Sequence, residues 1–494
     1  MRLCSAALLA AAALTAGVPG VAPSPLRQQV LQAPPMHGVK FNPLEHMSGI
    51  APYHDAPGAN ISPPKGCRSL AMALLIRHSS IVANDDEWED YMEPFVQRLD
   101  AHRAAGAALP ESGRLAFLRE WQSPINNDNL EQLTQPGAHD ATVQGRRLRK
   151  LHPHLFPPME LGRPGGKEAL AGKVKTPFKV WTASSERDIE TSKAWIRGAF
   201  PEWQRGDDGE GDGKFLTLVK VPNKNPDWGA SLTPHKVCKG FSKEPGKPEA
   251  QQWLETFGPR PLAALRDMAP EFPWELNDVI ALAMLCGYES VIKGVGKTEF
   301  CSVLQPDDFR DFGYWNDIKY HHFVGYKSPM APYLGMPWLN TSLHNLEAAT
   351  TGKHPHLQSG DEPAPIPPNA THTQFLLPYF THREEPPVVI TALGLMNQTA
   401  QYDLPLDHNP ADRVWKTSHV LPFLGHVGIE RLTCDAGSEG SDYIRVVING
   451  AVQHLEHCQS GPGKSCPMEQ YKAFVAERME QYGDIEGACG GIKT

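Results

Sequence analysis

Two histidines, His78 and His382, each stand at the end of a short apolar run with an arginine beside them, Arg77 before the first and Arg383 after the second. A third arginine, Arg187, follows another such run, Lys179–Thr182. Guanidinium forks pair with phosphate oxygens, and imidazole can attack phosphorus or stabilise its charge. His and Arg gathered from three strand ends would therefore suit an anionic phosphate group. Among 21 histidines, two at strand ends also fit a purely structural role, and spacing alone leaves both readings open. The other candidates have less behind them. His152/His154 and His354/His356 flank prolines without a neighbouring cysteine or carboxylate, so they read as loop histidines and not metal ligands. His321-His322 lies in a helical stretch, nothing local draws His419 to a site, and Ser184-Ser185 lacks a nucleophile-elbow context. Trp181 and Trp195 read as core.

Strands must end at these residues for them to meet. Ala71–Ile76 has strand length and stops at Arg77-His78, and Phe375–Tyr379 leads to Thr381-His382. Open α/β sheets gather ligands at such carboxyl ends. Helical spacing marks Asp85–Leu99, Thr134–Leu151 and Glu186–Phe200, and Pro386-Pro387 suits the first turn of a helix reaching Leu395. Late strands follow at Gly428–Thr433 and Tyr443–Ile448, the second running into an Asn449-Gly450 turn. The stretch Trp253–Asn345 is mostly helical, and the acidic glycine loop Gly206–Gly213 lacks calcium-loop spacing and reads as a connection. The expected fold is α/β, a mixed sheet flanked by helices with an inserted, mostly helical domain. Its parts are a signal peptide over 1–20, an arm lying over the surface at 21–66, an α/β domain from 67–240 and 370–494, a helical insertion at 241–352 and a Pro-rich linker at 353–369.

Composition narrows the function classes. A net charge of −9 forces no basic face, which argues against a nucleic-acid partner. Arg2 followed by the Ala/Leu-rich run Leu8–Leu14 resembles a secretory signal. No later stretch reaches the roughly 18 apolar residues of a membrane span, so a soluble, secreted protein is expected. Eight cysteines follow the signal, Cys67, Cys238, Cys286, Cys301, Cys434, Cys458, Cys466 and Cys489, at scattered spacings that favour disulfides over zinc. Glycosylation sequons at Asn60, Asn340, Asn369 and Asn397 fit the same compartment. The sequence specifies no oligomeric state.

The order LLIRHSS, LTQPGAHDATVQGRRLRKL, KVWTASSERDIETSKAW and FTHREEPPVVITALGL resembles the histidine acid phosphatase and phytase family, within the phosphoglycerate-mutase-like superfamily. The similarity covers most of residues 67–489. It implies a phosphate-monoester substrate, possible phytate hydrolysis, and no metal or cofactor. It also implies the pairing Cys67–Cys434, Cys238–Cys489, Cys286–Cys301 and Cys458–Cys466. His78 resembles the nucleophile that becomes a phosphohistidine, Arg77 and Arg187 the pair holding the phosphate, and His382 the second pocket histidine. Lys175, Lys179, Lys319 and Arg383 are candidates for a basic rim around a highly charged substrate.

The chain departs from the family pattern in two places. In the first motif, Arg-His-Gly-x-Arg-x-Pro, Ser79, Ile81 and Ala83 replace the glycine, the second arginine and the proline. Asn84, six residues after His78, resembles the asparagine of the phosphoglycerate-mutase loop and would serve as a neutral donor, or else as a turn or cap residue. In the second motif Arg383 replaces the aspartate that protonates the leaving alcohol, and Glu384 follows, similar to the His-Ala-Glu of multiple inositol polyphosphate phosphatases. Glu384 is the expected general acid, with Glu385 its rival. The alternatives are a secreted phosphate- or anion-binding homologue impaired in turnover, and a mutase, whose cytosolic substrate fits poorly with an export signal.

Overall fold

The computed structural model describes residues 41–157, 178–201, 216–351, 374–397, 403–435 and 441–493. The signal segment, the Gly206–Gly213 loop, the 353–369 linker, Lys175, His354, His356 and Asn369 lie outside the described residues.

Strand β1 (Cys67–Arg77) is buried along its apolar run, as suits the middle of a sheet with both faces covered. It is joined by β2 (Phe178–Ala183), β3 (Leu216–Val221), β4 (Leu376–Thr381), β5 (His426–Cys434), β6 (Ser441–Ile448), β7 (Ala451–Gln453) and β8 (Cys466–Pro467). The eight-stranded sheet has the order β3-β2-β4-β1-β5-β6-β7, with β8 on β6. From β3 to β1 the pairs are parallel, and from β1 onward they are antiparallel, which makes the sheet mixed as expected.

The helices Gln135–Leu151 and Glu186–Ala199 cover one face over Met72, Leu74, Ile76, Phe178, Val180, Trp195, Phe200, Leu376 and Phe380. Thr134 caps the first helix by accepting from Gly137 N. The two helices meet at glycines. A Cβ on Gly198 would lie 1.8 Å from Thr142 O, and one on Gly145 2.3 Å from Trp195 O. The contact is backbone to backbone and admits no side chain at either position.

Helices Lys247–Phe257, Pro259–Met268, Asp278–Lys293, Pro306–Phe323 and Ala331–Thr351 make up the expected helical stretch. The helix expected over Asp85–Leu99 is instead a short turn, Asp85–Glu87, a π-helical turn, Trp88–Met92, and a helix, Glu93–Ala104. Pro94 in the last helix's first turn removes a backbone donor, and the wider π turn absorbs the break.

The arm departs from expectation. Met47, Ser48, Ile50 and Ala51 are fully or almost fully buried, so this part of it runs through the interior and not over the surface. The four disulfides join Cys67–Cys434, Cys238–Cys489, Cys286–Cys301 and Cys458–Cys466, the pairing that the resemblance implies. Among the described residues no helix is long and apolar enough to cross a membrane. Asn60 is exposed, whereas Asn340, within a helix, and Asn397 are half-buried.

Candidate active site

Register brings the two histidines together. Arg77 pairs with Thr381 across β1 and β4, and His78 N donates to Thr381 O at 2.9 Å, so His78 and His382 leave the sheet side by side. Their ring centroids lie 6.4 Å apart at 82°. β2 ends beside them and passes through Ser185 into the helix that carries Arg187 and Asp188.

His78 is fixed by its neighbour. Its Nδ1 lies 2.9 Å from Ser79 O, and because a carbonyl only accepts, Nδ1 carries the proton and Nε2 the lone pair. Ser79, where the resembled motif has glycine, donates from N to Thr191 Oγ1 and from Oγ to Gly137 O. Gly137 has to be glycine, since a Cβ there would approach Ser80 O to 2.5 Å. Burial, then the charges of Arg77 and Arg187, hold His78 well below the ordinary imidazole value. It is a neutral ring with an available nitrogen.

Arg77 is fully buried and donates from Nη1 to Gly49 O and Leu421 O, while Nε and Nη2 have no partner among the described residues. Burial lowers its pKa to about 10, so it is still a cation. Unpaired buried donors beside a neutral imidazole are what an anion's oxygens would satisfy. Arg187 is engaged by the Glu131 carboxylate, which is held by a residue at φ 61°.

His382 Nε2 lies 3.1 Å from Ser185 Oγ and 2.9 Å from Asp188 Oδ2, the latter off the line of a hydrogen bond. Asp188 is fully buried, and Asn223 Nδ2 donates to Ser185 Oγ at 2.7 Å. The second histidine is thus oriented by a serine and faced by a buried carboxylate.

Asn84, beside the first departure, and Arg383, at the second, share one partner, Glu87. Arg383 donates to Glu87 Oε1 at 2.6 Å and to Asp86 at 3.1 Å. Burial opposes the charge of Asp86, but Arg383, then Lys243 and Lys319, outweigh it and bring the carboxyl to about 2. Asn84 Nδ2 donates to Tyr288 OH at 2.7 Å and Glu87 Oε2 at 3.1 Å, and its side chain makes no cap bond. Ile81 is wholly buried and bridges to Leu133. Glu384 lies 3.5 Å from Lys243 Nζ and 3.5 Å from Arg383 Nε. Burial raises its pKa, but Lys243, His235, Arg383 and His382 together hold it well below the usual carboxylate range. Glu385 accepts from His235 Nδ1.

His78, Asn84, Glu131, Arg187, His235, His382, Arg383 and Glu384 line an open cleft of about 420 Å³, together with Lys224, Lys236, Lys243 and Lys493. The sequence reading missed these four lysines, and His235, Glu131, Asp188 and Ser185 as site residues. Ser185 and Asp188 flank Arg187 in the sequence, whereas the lysines, His235 and Glu131 come from segments far apart, joined in part by the Cys238–Cys489 bridge and the Lys493 N to Val237 O bond. Of the proposed basic rim, Arg383 lines the cleft, while Lys179 lies in β2 and Lys319 is buried against Trp315. His419 lines a different cleft with His46 and His54. Trp181 and Trp195 are core.

His235, His382 and Glu384 offer ligand atoms within 4.8 Å of one another. Lys243 and Arg383 already flank Glu384, and such a cation-lined cleft repels a metal ion, so the cluster suits proton handling better.

The family model described as the histidine phosphatase superfamily (branch 2) matches residues 77–449. The chain is 25% identical over 463 residues to the acid phosphatase PHO1 of Komagataella pastoris, covering 92% of this chain and 88% of that protein. It is 25% identical over 462 residues to the phytase PHO112 of Candida albicans, with the same coverage of 92% and 88%. Among solved structures it is similar to the phytase from D. castellii, with TM-score 0.73 and 23% identity over 94% of this chain and 91% of that one. A multiple inositol polyphosphate phosphatase of Bifidobacterium longum aligns with TM-score 0.59 and 16% identity over 87% and 97% of the two chains.

Proposed function

From the premise that this chain belongs to the histidine phosphatase superfamily (branch 2) and is a phosphomonoesterase, we propose a two-step phosphoryl transfer through a phosphohistidine on His78. The observation that carries the reading is the Ser79 carbonyl on His78 Nδ1, which leaves Nε2 as the nucleophile. Arg77 and Arg187 hold the phosphoryl oxygens, and His382 stabilises the charge that grows in the transition state. Glu384 protonates the leaving oxygen. Its cationic neighbours keep it ionised alone, and the incoming dianion, by neutralising them, lets it take up a proton. Arg383 acts as a counter-ion to Asp86 and Glu87 within the cleft wall.

The preferred substrate in this reading carries several phosphates, as inositol hexakisphosphate does. Lys224, Lys236, Lys243 and Lys493 around one cleft support it, since a monophosphate needs no such number of cations. The protein works after export, a reading supported by its apolar N-terminal run, four disulfides and sequons.

The test is phosphate release from p-nitrophenyl phosphate across acid pH, with His78→Ala beside the wild type, followed by inositol hexakisphosphate. Release lost in His78→Ala, with acid-labile phosphate trapped on wild-type protein by rapid quenching, is the expected result. No release at any pH, with phosphate binding that Arg187→Ala abolishes, would identify an anion-binding protein instead.

A further inference from the structure

Glu385 and His235 form a buried pair for which phosphoryl transfer, as described above, has no task. Glu385 opens the helix Glu385–Ala392 and is 3% exposed. One of its oxygens accepts from His235 Nδ1, and the other has no partner among the described residues. The His235 segment is tied down on several sides. Thr381 Oγ1, one residue before His382, donates to Leu232 O, Thr233 Oγ1 donates to Asn223 O, and the Phe241 ring packs edge-on 5.3 Å away. With Nδ1 committed to a carboxylate, Nε2 is the working nitrogen. It lies 3.9 Å from Glu384 Oε2, just beyond hydrogen-bond reach.

A carboxylate ringed by Lys243 and Arg383 releases a proton readily and regains one poorly. A general acid so placed needs a proton source beside it. A buried carboxylate that holds one imidazole nitrogen orients the opposite one, the logic by which a carboxylate serves a catalytic histidine.

We propose that His235, oriented by Glu385, is the positioning residue that supplies Glu384 with its proton. The inference rests on the two-step reading above. In the first step the His78 Nε2–P bond forms as the P–O bond to the alcohol breaks. The leaving oxygen takes the proton of Glu384, and Glu384 takes one from His235 Nε2–H. In the second step water attacks phosphorus and the N–P electron pair returns to His78. The water's proton passes to Glu384 and on to His235, restoring the starting state.

The experiment compares wild type, His235→Asn and Glu385→Gln on two substrates of opposite need. Glycerol 2-phosphate has a poor leaving group that must be protonated, whereas p-nitrophenolate departs with little help. The expected result for His235→Asn is a kcat loss of about 10²–10⁴-fold on glycerol 2-phosphate and a loss at least tenfold smaller on p-nitrophenyl phosphate. KM should change little for either. Glu385→Gln should show the same split, and it carries the comparison if His235→Asn fails to fold. Equal losses on both substrates, or no loss on glycerol 2-phosphate, overturn the proposal. A wild type inactive on both overturns the two-step reading and this one with it, whereas failure of this inference alone leaves a wild-type activity that His78→Ala abolishes.

Discussion

Arg383 Nη1 donates to Glu87 Oε1 at 2.6 Å, and its Nη2 reaches both oxygens of Asp86 at 3.1 and 3.2 Å. The arginine that stands where the resembled motif has an acid is therefore neutralised by the acidic pair just after Asn84. Asn84 donates to the same Glu87, so the residues beside the two departures share a partner. Burial disfavours the Arg383 cation, yet Tyr320, Asp86, Glu87 and Glu384 raise its pKa well above the ordinary value.

Removing that cation should cost stability. Arg383→Met leaves Asp86, Glu87 and Glu384 without their shared partner, in a site where Arg383 is 4% exposed and Glu87 4%. Breaking one side of a buried pair typically costs about 3–5 kcal/mol. Urea unfolding should show a lower midpoint with an unchanged slope. A loss below about 1 kcal/mol would mean that the pair behaves as an exposed one.

How much of this was legible depended on sequence distance. Ala71–Ile76 and Phe375–Tyr379 announced β1 and β4 because an apolar run ending in Arg-His or Thr-His is a local signal. β3 was missed: its LTLVKV is six residues long and partly open at the sheet edge, so it offers no buried run to read. β8, two residues long, offers even less. The site divides the same way. His78, Arg187 and His382 belong to local motifs, whereas His235 and Lys493 reach the cleft through a disulfide and strand-end contacts that no local pattern encodes. Arg383 was legible as an odd residue, but its partners Asp86 and Glu87 lie almost 300 positions away, at a separation of 296 for Glu87.

Glu131 pairs with Arg187, so under the proposed reading it competes with a phosphate oxygen for that guanidinium. The Glu131 side chain is 38% exposed, so the pair is weak, about 0.2–1 kcal/mol. Glu131→Gln should lower KM for p-nitrophenyl phosphate by up to about fivefold, with kcat nearly unchanged. An unchanged KM with a fall in kcat would mean that Glu131 positions Arg187 instead of competing with the substrate.

Gly198→Ala tests the helix contact behind the site. The added Cβ would lie 1.8 Å from Thr142 O, a backbone atom that cannot turn aside. Either helix must shift, at a cost of about 1–3 kcal/mol or more. Because the Glu186–Ala199 helix carries Arg187, KM for p-nitrophenyl phosphate should rise together with the loss in thermal stability. A stable variant with an unchanged KM would show that the two helices separate without disturbing the phosphate ligands.

His321 links acid conditions to unfolding. It is fully buried in the helix Pro306–Phe323, 5.5 Å from the Trp415 ring, and neither ring nitrogen has a hydrogen-bond partner among the described residues. Burial, with His322 and Lys327 against the opposing pull of Asp403, lowers its pKa from 6.5 to about 4. Between those values the unfolded chain binds a proton that the folded chain refuses. Stability therefore falls as pH drops through this window, by up to about 1.4 kcal/mol per pH unit for a single group. His46 and His419, also lowered to about 4, add in the same direction. His321→Phe removes one titrating group and keeps a ring against Trp415. Whatever its packing costs, the difference in Tm between variant and wild type should move in favour of the variant on going from pH 7.5 to pH 4.5. Thermal melts at the two pH values measure this directly, and a Tm difference identical at both would show that His321 does not contribute to acid unfolding.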